Sequence, residues 1–418
     1  MGIFANYGYV LSKAGPFGIW TWLLVGGGQL LVALVFAEMA GRVPLTGAIY
    51  NWNTKLTNPA VGWLTAWMTL FAYAAATVGV IVAIITPLQT LLGQEFSSDA
   101  VNSIAVGIMV SQALINIYGV RLAAYTNKLA VIAEIIVLVF FGLILLTVIL
   151  MHSEANPELL ITLPDKPAPY WLNFLMASLM TAWTIFGFES PADLAEETLN
   201  VRRVAPKSII SSVLITIVLG FVFISILTMA IPDLAAVTAA SDPVSTIMSY
   251  HLGEMPTKLF LVVVLIAMFA VSLITMTMAS RLIFAVARDK RLVAASVLSR
   301  ISSHRVPHIS IMVIAAIEIG IFFVAKSRTD FYATPVILLF LAYLVTVVSF
   351  LVGSKKLPST DNFSLGRWHW PVAILAVFWL VAEIAILTIP DEFHSATEIT
   401  ATVLAVGVIL YLMVGRRQ

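Results

Sequence analysis

Between residues 183 and 191 a glycine, a carboxylate, a hydroxyl and a proline interrupt an apolar run: Gly187, Glu189, Ser190 and Pro191 follow Trp183, Ile185 and Phe186. Pro191 has no backbone donor and disfavours helix at Ser190, Gly187 is conformationally permissive, and Glu189 is an ionisable group that hydrocarbon penalises. Residues of these types bind rather than make bonds. A broken helix exposes N–H and C=O groups, and a carboxyl beside them can carry a proton or organise the helix ends. Residues 172–199 are expected to form a broken helix at a substrate site, because irregular backbone at membrane depth is tolerated only where protein or water satisfies it. The alternative is a proline-kinked helix in which Glu189 makes a structural hydrogen bond.

The elements that must hold this segment are apolar. The 418 residues are 60% hydrophobic and 11% charged, with a mean hydropathy of +1.00, which places the chain in the polytopic, all-α membrane class as a single domain. Net charge near zero gives no argument for nucleic acid. With no cysteine there is neither disulfide nor thiol chemistry, and no cofactor is called for.

Apolar runs predict spans at about 17–41, 60–92, 101–121, 129–151, 171–199, 206–230, 257–287, 308–326, 333–353, 369–389 and 396–414, with a short helix over 243–252. The first apolar segment, Met1 to Ala14, is closed by Gly15 and Pro16. At 1.5 Å per residue it covers about 20 Å, half a span. Of the 23 lysines and arginines, 18 fall in one set of alternating loops. The positive-inside rule puts that set and the C-terminus in the cytoplasm.

Four groups of residues resemble the amino acid–polyamine–organocation superfamily of permeases, in its amino acid/choline branch. They are Gly2, Ile3 and Phe4 with Gly15, Pro16 and Trp22; Phe36 to Met39 with Arg42, Pro44 and Thr46 to Tyr50; Phe186 to Glu189 with Glu196, Glu197, Asn200, Arg202, Arg203 and Pro206; and Arg281, Ala287 to Asp289, Val306 and Pro307. The resemblance covers essentially the whole chain. It implies a LeuT-like fold of twelve helices with inverted five-helix repeats, about 1–151 and 171–353, followed by two further helices over 369–414. It also implies that the first half of helix 1 precedes Met1, so that Met1 reads as a misassigned start or the beginning of a fragment.

On that resemblance the substrate is an amino acid or related amine. Its carboxylate is expected at the N–H groups of Gly2, Ile3 and Phe4, and its ammonium at the carbonyls of Ile185 and Phe186. Gly187 and Phe188 complete the break, with Trp183 and Phe186 as an aromatic gate or as packing. Ion coupling falls to Glu189 and Glu134, with Ser272, Thr275 and Thr277 as hydroxyls where sodium-coupled relatives place ligands. Hydroxyls in membrane helices usually bond back to their own helix, so protons are favoured over sodium. Asp193, Glu196, Glu197, Arg202 and Arg203 form a cytoplasmic gate or a solvated helix end.

Glu318 and Glu383 are read as oligomer contacts or structural pairs. His304 and His308 are not read as a metal site. No Ser-His-Asp, His-Glu-x-x-His or nucleotide-binding pattern points to an enzyme. The reading is a secondary active transporter in the plasma or bacterial inner membrane. A choline, 4-aminobutyrate or polyamine permease, an exchanger, and a non-transporting nutrient sensor are the alternatives.

Overall fold

The computed structural model describes residues 2–118, 120–163, 170–193, 195, 199–303, 306–325, 327–359 and 362–414, without the side chains of 120–124, 126, 127, 130, 193 and 414. The architecture is all-α. In chain order the helices are α1 (Gly2–Ala14), α2 (Thr21–Arg42), α3 (Ala48–Leu56), α4 (Pro59–Leu92), α5 (Ser98–Tyr118), α6 (Val120–Ile135), α7 (Gly142–Met151), α8 (Tyr170–Met176), α9 (Leu179–Thr184), α10 (Ser190–Asp193), α11 (Val201–Met229), α12 (Leu234–Ala239), α13 (Pro243–Leu252), α14 (Glu254–Arg288), α15 (Ala295–Leu298), α16 (His308–Val324), α17 (Arg328–Gly353), α18 (His369–Ile386) and α19 (His394–Val414).

Among the described residues nine helices are long and apolar enough to cross a membrane. The eleven expected full spans differ from these at two places. The segment expected over 171–199 is cut into α8, α9 and α10, and α16 is a 17-residue apolar helix. The short helix expected over 243–252 forms as α13.

Local signals set the ends. Asn58 accepts from the N–H groups of Ala60 and Val61 at 3.0 and 3.1 Å, Pro59 opens α4, and Gly93 in left-handed geometry closes it. Ser327 and Asp330 form a reciprocal capping box at the start of α17. Between α6 and α7 the turns widen to a π-helix over Ile136–Phe141.

Three consecutive glycines on α2 allow close approach by large neighbours. A Cβ on Gly26 would stand 2.7 Å from the Ile217 side chain of α11, and one on Gly28 2.0 Å from the Trp379 ring of α18. Gly220 of α11 in turn receives the Trp22 ring of α2. In the middle, α4 packs against α14 and α17. Within the interrupted segment, α9 packs against α1, α2 and α17.

At one end of the bundle α3 is pinned to the helices around it. Tyr50 Oη donates to Asp289 Oδ2 at 2.7 Å, just past α14. Asn53 Nδ2 donates to Thr346 Oγ1 of α17 at 2.8 Å. A cavity of about 10 Å³, lined by Gly47, Tyr50, Ala66, Thr69 and Leu282 among others, lies between α3, α4 and α14. It has the volume of about one water.

Candidate functional site

α9 stops at Thr184 because its next turn is diverted. Ile185 leaves helical geometry at φ −107°, ψ 64°, and Gly187 adopts φ +72°, a conformation that costs other residues about 1–2 kcal/mol. The Gly187 N–H, which helix continuation would direct to the Trp183 carbonyl, donates instead to Tyr343 Oη of α17 at 2.9 Å. The helix resumes only at Ser190. The expected break is therefore real.

Glu189 lies in this gap with no exposed surface. Tyr73 of α4 donates its hydroxyl to Oε1 at 2.6 Å, and Tyr343 donates to Oε2. One phenol oxygen thus accepts from the broken backbone and donates to the buried carboxyl. Sequence reasoning missed both tyrosines. Their signal was a phenol in the middle of an apolar span, where the hydroxyl has to find a partner.

The N-terminus of α1 meets the C-terminus of α9. A Cβ on Gly2 would stand 2.0 Å from Thr184 Oγ1 and 3.0 Å from the Trp183 ring, so α1 sits where only glycine allows it. The end of a helix carries negative partial charge and unpaired carbonyl groups, and the end of α9 lies beside Gly2 of α1.

The expected lining divides into two groups. Trp183 stacks edge-on against Phe186 and Tyr332, with ring centroids 5.4 and 5.1 Å away, and its ring reaches Gly79 of α4. Ile185 is buried and Phe186 half-buried. Phe188 turns away, into a cluster with Phe36 and Tyr343. Phe4 packs on Phe223 and Phe260 at 6.1 and 5.5 Å. The Phe188 and Phe4 rings are packing, although the Phe4 N–H remains at the start of α1.

The hydroxyls expected as ion ligands do not converge. Ser272 receives Gln112 Nε2 at 2.6 Å, Thr275 meets Thr77 at 2.9 Å, and Thr277 donates to Asn116 at 2.6 Å. Each also bonds back to a carbonyl of α14. Glu134 is half-buried on α6, which packs against α14. No cluster suited to a metal occurs among the described residues.

Arg202 and Arg203 are exposed at the start of α11. Glu196, Glu197 and the Asp193 side chain, their expected gate partners, lie outside the described residues, as does His304. The reading of Glu318 and Glu383 as oligomer contacts is corrected, because neither has exposed surface in the single chain. Glu383 of α18 accepts from Ser178 Oγ, between α8 and α9, at 2.6 Å.

The amino acid permease family model matches residues 1–414. The chain belongs to the amino acid permease family. Similar proteins include the amino-acid permease BAT1 of Arabidopsis thaliana, 22% identical over 91% of this chain and 80% of the relative. The branched-chain amino acid permease BcaP of Lactococcus lactis is 27% identical over 77% of this chain and 72% of the relative. Amino-acid permease 2 of Neurospora crassa is 24% identical over 93% of this chain and 75% of the relative. The permease is an amino acid transporter and a multi-pass membrane protein, not an enzyme.

Proposed function

We propose that this permease moves an amino acid by alternating access, with its substrate held at the paired helix ends and its movement coupled to protons through Glu189. The observation that carries the reading is the placement of α1's first residue against the last turn of α9, with Gly2 at Thr184 and Trp183. The N–H groups of Gly2, Ile3 and Phe4 take the carboxylate, and the carbonyls around Ile185 and Phe186 take the ammonium. Trp183, Phe186 and Tyr332 suit an apolar side chain, in keeping with the name of the branched-chain relative.

The same reading assigns a LeuT-like organisation to one membrane domain, with repeats over about 1–151 and 171–353 and two added helices. The 18 basic residues of one loop set support a cytoplasmic C-terminus, and the reading puts the permease in a plasma or bacterial inner membrane. Dispersal of the Ser272, Thr275 and Thr277 hydroxyls favours protons over sodium.

The test is uptake of labelled leucine, alanine, lysine, glutamate, 4-aminobutyrate and choline into proteoliposomes, under an imposed pH gradient and then a sodium gradient. Accumulation of an amino acid with protons alone is expected. Sodium-driven accumulation would overturn the coupling. Binding without uptake of any substrate would instead favour a sensor.

A further inference from the structure

Glu318 is a second buried carboxyl, on a helix that the site described above does not use. It lies ten residues into α16, about 15 Å along the axis from His308 and so near the membrane middle. It has no exposed surface. By distance and angle neither carboxyl oxygen is bonded among the described residues, while the Thr77 hydroxyl of α4 stands close enough to act on the carboxyl as a hydrogen-bond donor.

Among the described residues the helices packed on α16 carry no basic side chain at mid-helix. α4 carries no Asp, Glu, Lys, Arg or His, and Tyr73 is its titratable group. On α5, Asp99 and Tyr118 stand at the two ends. On α14, Glu254 and Lys258 occupy one end and Arg281 and Arg288 the other, with none between. α15 has no titratable side chain. α17 approaches through Phe331 against Phe322, and Arg328, Asp330 and Tyr332 flank that contact. On α16 itself the other titratable group is His308. A carboxylate here would be a buried charge with no countercharge and one hydroxyl facing it, an arrangement proteins avoid.

Thr77 supplies what a proton site needs. Its single hydroxyl proton has two acceptors, the Tyr73 carbonyl at 3.0 Å and Thr275 Oγ1 at 2.9 Å, so rotation lets its oxygen accept from a carboxylic acid or its proton turn to a carboxylate. Thr77 is also one turn from Tyr73, whose hydroxyl holds Glu189. Residues four apart share a helix face. One face of α4 thus touches both buried carboxyls.

We propose that Glu318 is a proton-binding site of the permease whose occupancy is linked through Thr77 and α4 to substrate at the helix break. The step is protonation alone: a carboxylate oxygen takes a proton from hydronium, an O–H bond forms as one of the hydronium O–H bonds breaks and leaves water, and release reverses it. The proposal rests on the proton-coupled reading above and adds a site to it.

Two measurements on the full chain test it. In proteoliposomes under a pH gradient, Glu318→Gln should reduce leucine accumulation about tenfold while leucine counterflow continues, and Glu318→Asp should restore part of it. In the purified protein, infrared difference spectra with and without leucine should show a protonated carboxyl band that Glu318→Gln removes and Thr77→Val displaces. Wild-type accumulation and unchanged spectra in Glu318→Gln would overturn the proposal while leaving proton coupling through Glu189 standing. If the wild type shows no proton-driven uptake, the coupling reading fails, and the infrared band still decides whether Glu318 binds a substrate-linked proton.

Discussion

The Tyr343 hydroxyl occupies the position of a helical hydrogen bond: it accepts from the Gly187 N–H at 2.9 Å, in place of the Trp183 carbonyl, and donates its own O–H to Glu189 Oε2. A single phenol therefore ends α9 and anchors the carboxyl beyond it. Tyr73 makes only the second kind of contact with this segment. Tyr343→Phe leaves a buried N–H and a carboxyl oxygen without this partner, a loss of about 1–3 kcal/mol for each unsatisfied group. Tyr73→Phe removes one such bond. Thermal unfolding in detergent should rank wild type above Tyr73→Phe above Tyr343→Phe, and equal losses would contradict the double role.

Two glycines predict opposite kinds of damage. Gly187→Ala has open space for its methyl group but a φ of +72°, so the expected cost is backbone strain of about 1–2 kcal/mol, with Gly187→Asn better tolerated. Gly79 has an ordinary backbone, yet a Cβ there would stand 2.6 Å from the Trp183 ring. A Cβ at Gly79 would also stand 2.7 Å from the Phe331 carbonyl of α17, so Gly79→Ala should displace both Trp183 and α17, raising the substrate KM and lowering stability. Uptake kinetics and melting curves for the pair separate the two cases.

Glu189→Gln keeps the shape of the side chain and removes its capacity to exchange a proton. Its amide oxygen can accept from one tyrosine, while its NH2 faces the other hydroxyl. Leucine accumulation under a pH gradient should fall about tenfold or more, with exchange of bound for labelled leucine retained. Unchanged pH dependence of uptake would remove Glu189 from the coupling.

At the α3 end, burial and the neighbouring Asp289 carboxylate hold the Tyr50 hydroxyl well above the usual phenol range. Its folded pKa being raised, the stability it contributes is fully present below the unfolded value of about 10 and is lost only as pH rises through the folded one. Tyr50→Phe should therefore destabilise the permease by about 1–3 kcal/mol, constant from pH 6 to 9. A double-mutant cycle with Asp289→Asn should show that the two losses are not additive.

The course of the chain was legible in the sequence because hydropathy and turn residues act locally. The interruption at Gly187 to Pro191 announced itself through residue types that a continuous span excludes, and the end of α4 at Leu92 through the close of the apolar run over 60–92. The partners of Glu189 were not legible: Tyr73 and Tyr343 lie 116 and 154 residues away, and nothing local says which hydroxyl meets which carboxyl. Ser272, Thr275 and Thr277 show the same limit, since spacing on α14 could not reveal that their hydroxyls point to three different neighbours. Glu318 was misread because a carboxylate in a short apolar helix resembles an association contact until the packing around it is known.

The brevity of α16 bears on the lipid around the permease. Its 17 residues rise about 25 Å, several ångströms less than a typical hydrocarbon core, and Met312, Phe323 and Val324 are exposed on it. Helices too short for their bilayer cannot gain length by tilting, so the acyl chains beside them have to compress. A thinner annulus is expected on this flank than beside the longer helices. Membrane thickness then acts on the helix that carries Glu318, and short-chain lipids relieve a load that long-chain lipids impose.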